Sequence, residues 1–263
     1  MSILLSGDFH SDSCGELLYL TKDFLIEQYS RKVYKAINYH IILGDGGFLW
    51  PGNRGKDAVN FLALAERPFP ILCVLGNHDP VLGRTNLPEA DIGIGEKVIV
   101  VNKEKPFIAY LKRGKVYCID NRKFLVLGGA LSIDQEYRLP NFSWWKQEYW
   151  TKEEETAVFD LLKNDAGFDY VLSHTGPNHI NRKVFFYSPD SHTSKFVDKV
   201  AVLNEKIDRK INCRQWFCGH WHHAYYYFDK KRKRGYQYLY KQTALIGENE
   251  IIAPENTITE GYL

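Results

Sequence analysis

Short apolar runs bounded by polar loops alternate with longer stretches of helical periodicity in the N-terminal third of this chain. Ile3 to Ser6 reads as a buried strand. Glu16 to Ile37 reads as a helix, because Leu17, Leu20, Phe24, Tyr29 and Val33 recur at roughly helical spacing. His40 to Leu43 and Ile71 to Leu75 are further buried strands, and Lys56 to Arg67 between them is a helix that turns Val59, Leu62 and Leu64 inward. Strand, helix, strand, helix, strand is the order of a parallel sheet covered by helices.

Beyond Pro80 the pattern changes. Lys97 to Val101, Ile108 to Leu111, Lys115 to Ile119 and Phe124 to Leu127 are short strands split by turns such as Lys112-Arg113-Gly114 and Asp120-Asn121-Arg122. They predict antiparallel neighbours and hence a mixed sheet. Thr151 and Glu154 form a capping box for a helix over Thr151 to Lys163, with Ala157, Val158, Leu161 and Leu162 on one face. Tyr170 to Ser173 is a strand, Ser194 to Arg209 a helix, and Asn212 to Cys218 a strand that ends in a polar cluster. Tyr225 to Phe228 and Tyr236 to Tyr240 enclose Asp229 to Gly235 as a hairpin with a basic tip. No repeat, low-complexity tract or linker divides residues 1–263, so a single domain is expected.

Composition narrows the picture without changing it. A chain of 263 residues that is 44% apolar and 25% charged buries enough surface to need neither disulfides nor a structural metal. With 34 Lys plus Arg against 32 Asp plus Glu, the net charge of +2 exerts no general pull on nucleic acid or an anionic membrane. The opening apolar run is too short for a signal-peptide core and lacks a basic start, and no later stretch approaches a membrane span. A cytoplasmic protein with no membrane partner is therefore expected. The five cysteines include no Cys-x-x-Cys pair, and most of them sit in strand-like runs, which predicts reduced, mostly buried thiols.

The chemistry lies just after the strands. Asp8-Phe9-His10, Gly44-Asp45-Gly46-Gly47, Gly76-Asn77-His78-Asp79, His174-Thr175-Gly176-Pro177 and Gly219-His220-Trp221-His222 each come at the C-terminal end of a buried strand. In an open α/β sheet the ligand crevice lies outside those ends, so five loops would meet there. A lone histidine after a strand is more often a cap or a solvent-facing residue than a ligand; five such sites in this order are what carry the reading. Imidazoles, carboxylates and one amide without thiols make a hard-to-borderline metal site. His40, His179, His192 and His223 are left with supporting or solvent-facing roles.

This ordered set resembles the pattern of the calcineurin-like metallophosphoesterase superfamily: Asp-x-His, Gly-Asp, Gly-Asn-His-Asp/Glu, His and Gly-His-x-His, matched from Asp8 to His222. The resemblance implies an α/β fold of the four-layer αββα sandwich type with mixed sheets. It also implies two divalent metal ions, with Asp8, His10 and His222 on one, Asn77, His174 and His220 on the other, and Asp45 bridging them. Mn, Fe, Zn, Ni and Co all accept this nitrogen and oxygen set. The implied reaction is hydrolysis of a phosphate ester by attack of a metal-bridging hydroxide. His78 would contact the phosphate and protonate the leaving oxygen.

One position departs from the family pattern. Many relatives carry an acid three residues after the bridging Asp, where it orients the catalytic His, and their phosphoprotein phosphatases place Arg next to it; here the first position is Phe48. Either Asp79 or a residue distant in sequence orients His78, or its help as an acid is weaker, and phosphoprotein specificity does not carry over. Substrate-facing candidates are Arg54 in the Trp50 to Gly55 loop, and Arg138 and Trp144 in the aromatic loop that runs to Trp145. Packing of Trp144 and Trp145 on the sheet is the plainer reading of that pair. The expected substrate is a small phosphate ester or nucleotide, a diester in preference to a monoester. A non-catalytic binding scaffold and a nuclease are the rivals. For Lys230 to Arg234 a solvated hairpin tip is favoured over a polynucleotide contact.

Overall fold

A computed structural model of the chain describes residues 1–8, 20–49, 64, 67–79, 86–105, 107–185, 197–248 and 250–252. The helix expected over Lys56 to Arg67 lies almost wholly outside these residues, as do Cys14, His192 and the first turn of the helix expected from Glu16.

The described strands form two sheets. The first contains β1 (Ser2–Ser6), β2 (Ile37–Ile42), β3 (Ile71–Cys73), β4 (Glu89–Ala90), β5 (Val98–Asn102), β6 (Ile108–Tyr110), β13 (Thr243–Ile246) and β14 (Ile251–Ile252). Its order is β14-β13-β1-β2-β3-β6-β5-β4. The second contains β7 (Lys115–Ile119), β8 (Arg122–Leu127), β9 (Gly167–Ser173), β10 (Asn212–Cys218), β11 (Tyr225–Asp229) and β12 (Arg234–Tyr238), in the order β11-β12-β10-β9-β8-β7. At the middle of each sheet the strands run parallel: β1, β2, β3 and β6 in the first, β8, β9, β10 and β12 in the second. Antiparallel strands flank them, so both sheets are mixed.

Alternation along the strands makes the layers, since successive side chains in a strand point to opposite faces. Ile3 and Leu5 of β1 join Phe124 and Val126 of β8 in one core between the sheets, with Leu72, Tyr170, Leu172 and Phe217. Leu4 turns the other way, against Leu25, Tyr29 and Tyr34 of the helices on the outer face of the first sheet. Leu125 and Leu127 meet Val158, Leu162, Ile180, Val200 and Leu203 of the helices outside the second. The sequence of layers is helix, sheet, sheet, helix, which is the expected four-layer sandwich.

Several elements differ from the periodicity reading. Among the described residues the long N-terminal helix is two short ones, α1 (Lys22–Tyr29) and α2 (Arg31–Lys35), broken at Ser30, whose φ is 83°. The Ser30 hydroxyl caps the second helix by accepting from the Val33 backbone N–H. Ile37 is already strand, because its backbone pairs with Ser2. The Thr151 capping box is present and opens α3 (Lys152–Asn164). His179 lies on a helix that the spacing did not predict, α4 (Asn178–Val184). The helix expected from Ser194 is α5 (Lys199–Asp208), which begins later because the Asp198 carboxylate accepts from Val200 N–H as its N-cap. The start of α5 obeys cap geometry that apolar spacing does not report.

The expected hairpin is β11 with β12. Its cations divide into two sets. Lys230, Lys231 and Lys233 are exposed, whereas Arg234 is buried against Asp208 and the Ile211 carbonyl, and Arg232 lies 3.3 Å from Asp208 and 3.1 Å from Asp229. Tyr236 also donates to Asp208, at 2.8 Å. Two of the five basic residues thus hold the hairpin to α5.

Candidate metal centre

Parallel strands from both sheets deliver their C-terminal ends to one seam. Asp8, Asp45 and Asn77 come after β1, β2 and β3, while His174 comes after β9 and His220 and His222 after β10. Oxygen or nitrogen atoms of Asp8, Asp45 and His174 all lie within 4.8 Å of one another, and all three residues are buried. His174 Nε2 lies 3.2 Å from Asp45 Oδ2 and 2.9 Å from Asn77 Oδ1. His222 Nε2 lies 3.2 Å from Asp8 Oδ2, and the His220 ring centroid is 5.0 Å from that of His174. The structure therefore brings together Asp8, Asp45, Asn77, His174, His220 and His222. His10 and Arg54 lie outside the described residues.

The backbone is bent to achieve this. Asp8 (φ 53°), Asp45 (φ 53°), His220 (φ 71°) and His222 (φ 51°) all occupy the left-handed region. Each such residue costs on the order of 1 kcal/mol, and such strain gathers where side chains must be aimed. Two glycines make room. A Cβ on Gly44 would sit 2.1 Å from His174 Nδ1, and one on Gly76 would sit 2.0 Å from Asp45 Oδ1. His174 Nδ1 meets the Leu43 carbonyl at 2.8 Å, which makes Nδ1 the donor and leaves Nε2 turned to the carboxylates.

The residues present fit a divalent cation. Burial works against charge on His174, but the carboxylates of Asp45 and then Asp8 outweigh it and lift the imidazole to about 10. Burial and the neighbouring His174 push His220 down to about 3, keeping it neutral, and its buried Nε2 has no hydrogen-bond partner among the described residues. Two buried carboxylates with a neutral imidazole lone pair are the donors that a hard-to-borderline ion takes.

Asp79 does not orient His78. Its carboxylate accepts from the backbone N–H groups of Gly76 (2.7 Å) and Asp45 (3.1 Å) and from the Tyr110 hydroxyl (2.8 Å). Burial and the Asp45 charge raise it to about 6. It pins the loop after β2 to the loop after β3. Phe48, at the position of the missing acid, is buried among Ile42, Ile71 and Tyr110.

A partner of the His78 ring comes from far along the chain. Arg138 Nη1 lies 2.6 Å from His78 Nδ1 and its Nη2 3.2 Å from Nε2. The guanidinium is itself held as a fork by Asp134, at 2.6 and 2.7 Å, and by the Ser143 carbonyl at 3.0 Å. On the backbone side, His78 N–H donates to Asp45 Oδ1 at 2.8 Å. In the same loop Trp145 is buried and Trp144 half-buried, so packing accounts for the first of the pair.

Periodicity and motif reading missed two residues behind the site. Ser132 Oγ accepts from Asn77 Nδ2 at 2.9 Å and donates to Glu148 Oε1 at 2.8 Å. Glu148 is buried, and desolvation pushes its carboxyl up to about 7 against the lowering effect of the Ser132 donors. Nothing in the local sequence flags either residue. Of the remaining histidines, His40 is a core residue bonded to Ser6 Oγ at 2.8 Å, and His223 is exposed.

The layered α/β sandwich gathers carboxylates and imidazoles at its strand ends, donors of the kind that metal-dependent hydrolases use. The family model for calcineurin-like phosphoesterases matches residues 1–224, and the chain belongs to that family. It is a phosphoric ester hydrolase of a metal-dependent family. No curated protein matches the sequence. Among solved structures, phosphopantetheinyl hydrolase from Mycobacterium tuberculosis is similar at 11% identity and a TM-score of 0.47, over 91% of this chain and 90% of that one. A putative 5'-nucleotidase from Staphylococcus aureus, solved with alpha-ketoglutarate, has 14% identity and a TM-score of 0.48 over 96% of this chain but only 52% of its own. GAP50, an anchor in the inner membrane complex of Plasmodium, has 10% identity and a TM-score of 0.47, over 98% of this chain and 86% of its own. Among the described residues no helix is long and apolar enough to cross a membrane.

Proposed function

We propose that this chain hydrolyses a small phosphodiester or nucleotide at two divalent ions. Asp8, His10 and His222 would hold one, Asn77, His174 and His220 would hold the other, and Asp45 would serve both. The convergence of Asp8, Asp45 and His174 within 4.8 Å, with His78 and a clamped Arg138 beside them, carries this reading. When bound, the ions supply a nucleophile from water near neutral pH and offset phosphate charge. The protein does the rest. Asp45 fixes His78 through its backbone N–H, and Arg138 offers two parallel donors that match a pair of phosphate oxygens. His78 protonates the leaving oxygen once phosphate oxygens draw the guanidinium from its ring. Phe48 and Leu49, where phosphoprotein phosphatases place acid and Arg, support a diester or nucleotide over a phosphoprotein.

The test is a panel of mononucleotides, cyclic nucleotides, dinucleotides and aryl mono- and diesters assayed with stripped protein and each added metal. His78→Ala should slow an alkyl or nucleotide ester on the order of 100-fold while slowing a nitrophenyl ester less than tenfold, because only the poor leaving group needs a proton. Metal content should stay at the wild-type level. Equal slowing of both esters would instead assign His78 to phosphate binding.

A nuclease is disfavoured, since Arg232 and Arg234 are engaged with Asp208 and Asp229 rather than presented to solvent. Replacing Lys230, Lys231 and Lys233 with Ser should leave nitrophenyl ester hydrolysis within twofold and stability within about 1 kcal/mol, the usual scale for exposed side chains. A steep, salt-dependent loss of single-stranded DNA binding in that variant would restore the nuclease reading.

A further inference from the structure

We propose that Glu148 is a positioning residue for the metal centre, acting through the Ser132 hydroxyl to hold the Asn77 carboxamide with its oxygen turned to the ions. The inference rests on the ligand role proposed for Asn77. Its basis is the direction of each hydrogen bond in a buried chain of three side chains, Glu148, Ser132 and Asn77. A serine hydroxyl has one proton to give. Glu148 Oε1 receives it at 2.8 Å, and Glu148 Oε2 accepts the Ser132 backbone N–H at 3.2 Å. Only lone pairs of Ser132 Oγ then remain for Asn77, so the group facing it at 2.9 Å must be the donor, Nδ2. The carbonyl oxygen is left on the other side, 2.9 Å from His174 Nε2.

That asymmetry matters because the two ends of a carboxamide are nearly the same size and opposite in chemistry. An amide oxygen ligates a cation; an amide N–H repels one. Nothing in the shape of the pocket distinguishes the two, whereas an acceptor-only carboxylate behind Ser132 does. With a side chain at position 148 that can itself donate to Ser132, the hydroxyl is released to donate forward, and the Ser132 end no longer opposes a flipped Asn77 with its NH2 toward the centre, leaving His174 Nε2 alone to hold the carboxamide oxygen. Glu148 comes from the long segment between β8 and α3, and Asn77 from the turn after β3. The chain thus ties the metal loop to an insertion that also carries Arg138.

The experiment measures Mn2+ binding to stripped protein by calorimetry at pH 8.5, alongside turnover of a nitrophenyl ester. At that pH the Glu148 carboxyl is ionised, and wild type sets the reference. Glu148→Gln keeps the volume but has one oxygen for the two Ser132 donors, so its amide group meets Ser132 Oγ as a donor. Mn2+ affinity should fall roughly 10- to 100-fold, the usual effect of losing a group that orients a ligand. Ser132→Ala should do the same and Ser132→Thr should restore most of it. The double variant should be no worse than Ser132→Ala alone, because both substitutions break one relay. Unfolding of metal-free Glu148→Gln should occur at or above the wild-type temperature, since the substitution removes a buried charge. That separates positioning from structural damage. Affinities within twofold of wild type in both single variants, or effects that add in the double variant, would overturn the proposal. If wild type itself takes up no Mn2+, the metal centre falls with it.

Discussion

Asp45→Asn is expected to remove nearly all hydrolysis, roughly 1,000-fold or about 4 kcal/mol of barrier. The substitution preserves size, so its effect isolates charge and donor direction. One carboxylate oxygen accepts the His78 backbone N–H at 2.8 Å, and the other lies 3.2 Å from His174 Nε2 in the cluster with Asp8. An asparagine has one acceptor oxygen for these two places. Whichever way it turns, an NH2 group faces either the His78 N–H, donor against donor, or the space in which positive charge must be held. Metal content should fall with activity, while His222→Ala should cost less, because His222 is half exposed and touches the cluster at one edge through Asp8. Chelation should silence the wild type and Mn2+ restore it. Turnover of Asp45→Asn within tenfold of wild type, with circular dichroism unchanged, would mean that Asp45 is not the shared ligand.

The parts of this site that were legible in the sequence are those that sit on short motifs at strand ends. Asp8, Asp45, Asn77, His174, His220 and His222 each come within a few residues of an apolar run, and neighbouring parallel strands necessarily deliver the residues beyond their C-terminal ends to one edge of the sheet. The layering was legible for a similar reason: Ile3, Leu4 and Leu5 or Phe124, Leu125 and Val126 form continuous apolar runs because both faces of each sheet are covered. The features that could not be read depend on contacts between distant segments. Arg138 reaches His78 across 60 positions, and Glu148 reaches Ser132 by the fold of a segment with little regular structure. Ser30 breaks a helix whose apolar spacing continues across the break, because the cap is a hydroxyl and a backbone angle rather than a change in pattern. Strand β13 supplies the antiparallel neighbour of β1 from the far end of the chain, a pairing set by register and not by proximity in sequence.

The absence of side chains at the turns after β2 and β3 should matter as much as the proposed ligands themselves. Gly76 is held from one side by its N–H, which donates to Asp79 Oδ2 at 2.7 Å. On the other side an added Cβ would stand 2.0 Å from Asp45 Oδ1 and 2.3 Å from the Asp45 backbone nitrogen. The nitrogen belongs to a backbone that Asp79 also holds, at 3.1 Å, so the turn cannot slide away without breaking that clamp. Relief to an ordinary contact therefore displaces the Asp45 carboxylate by more than about 1 Å, a misplacement worth on the order of 100-fold in rate. Overpacking of this kind also destabilises a fold by about 1–3 kcal/mol. Gly76→Ala should accordingly lose Mn2+ affinity and turnover together and unfold at lower urea. Gly167→Ala is the matched control: a Cβ there meets nothing within 4 Å, and its stability should stay within about 0.5 kcal/mol of wild type. Full Mn2+ binding by Gly76→Ala would show that the turn yields where the hydrogen bonds to Asp79 indicate that it cannot, and that the position of Asp45 is set by something other than this glycine.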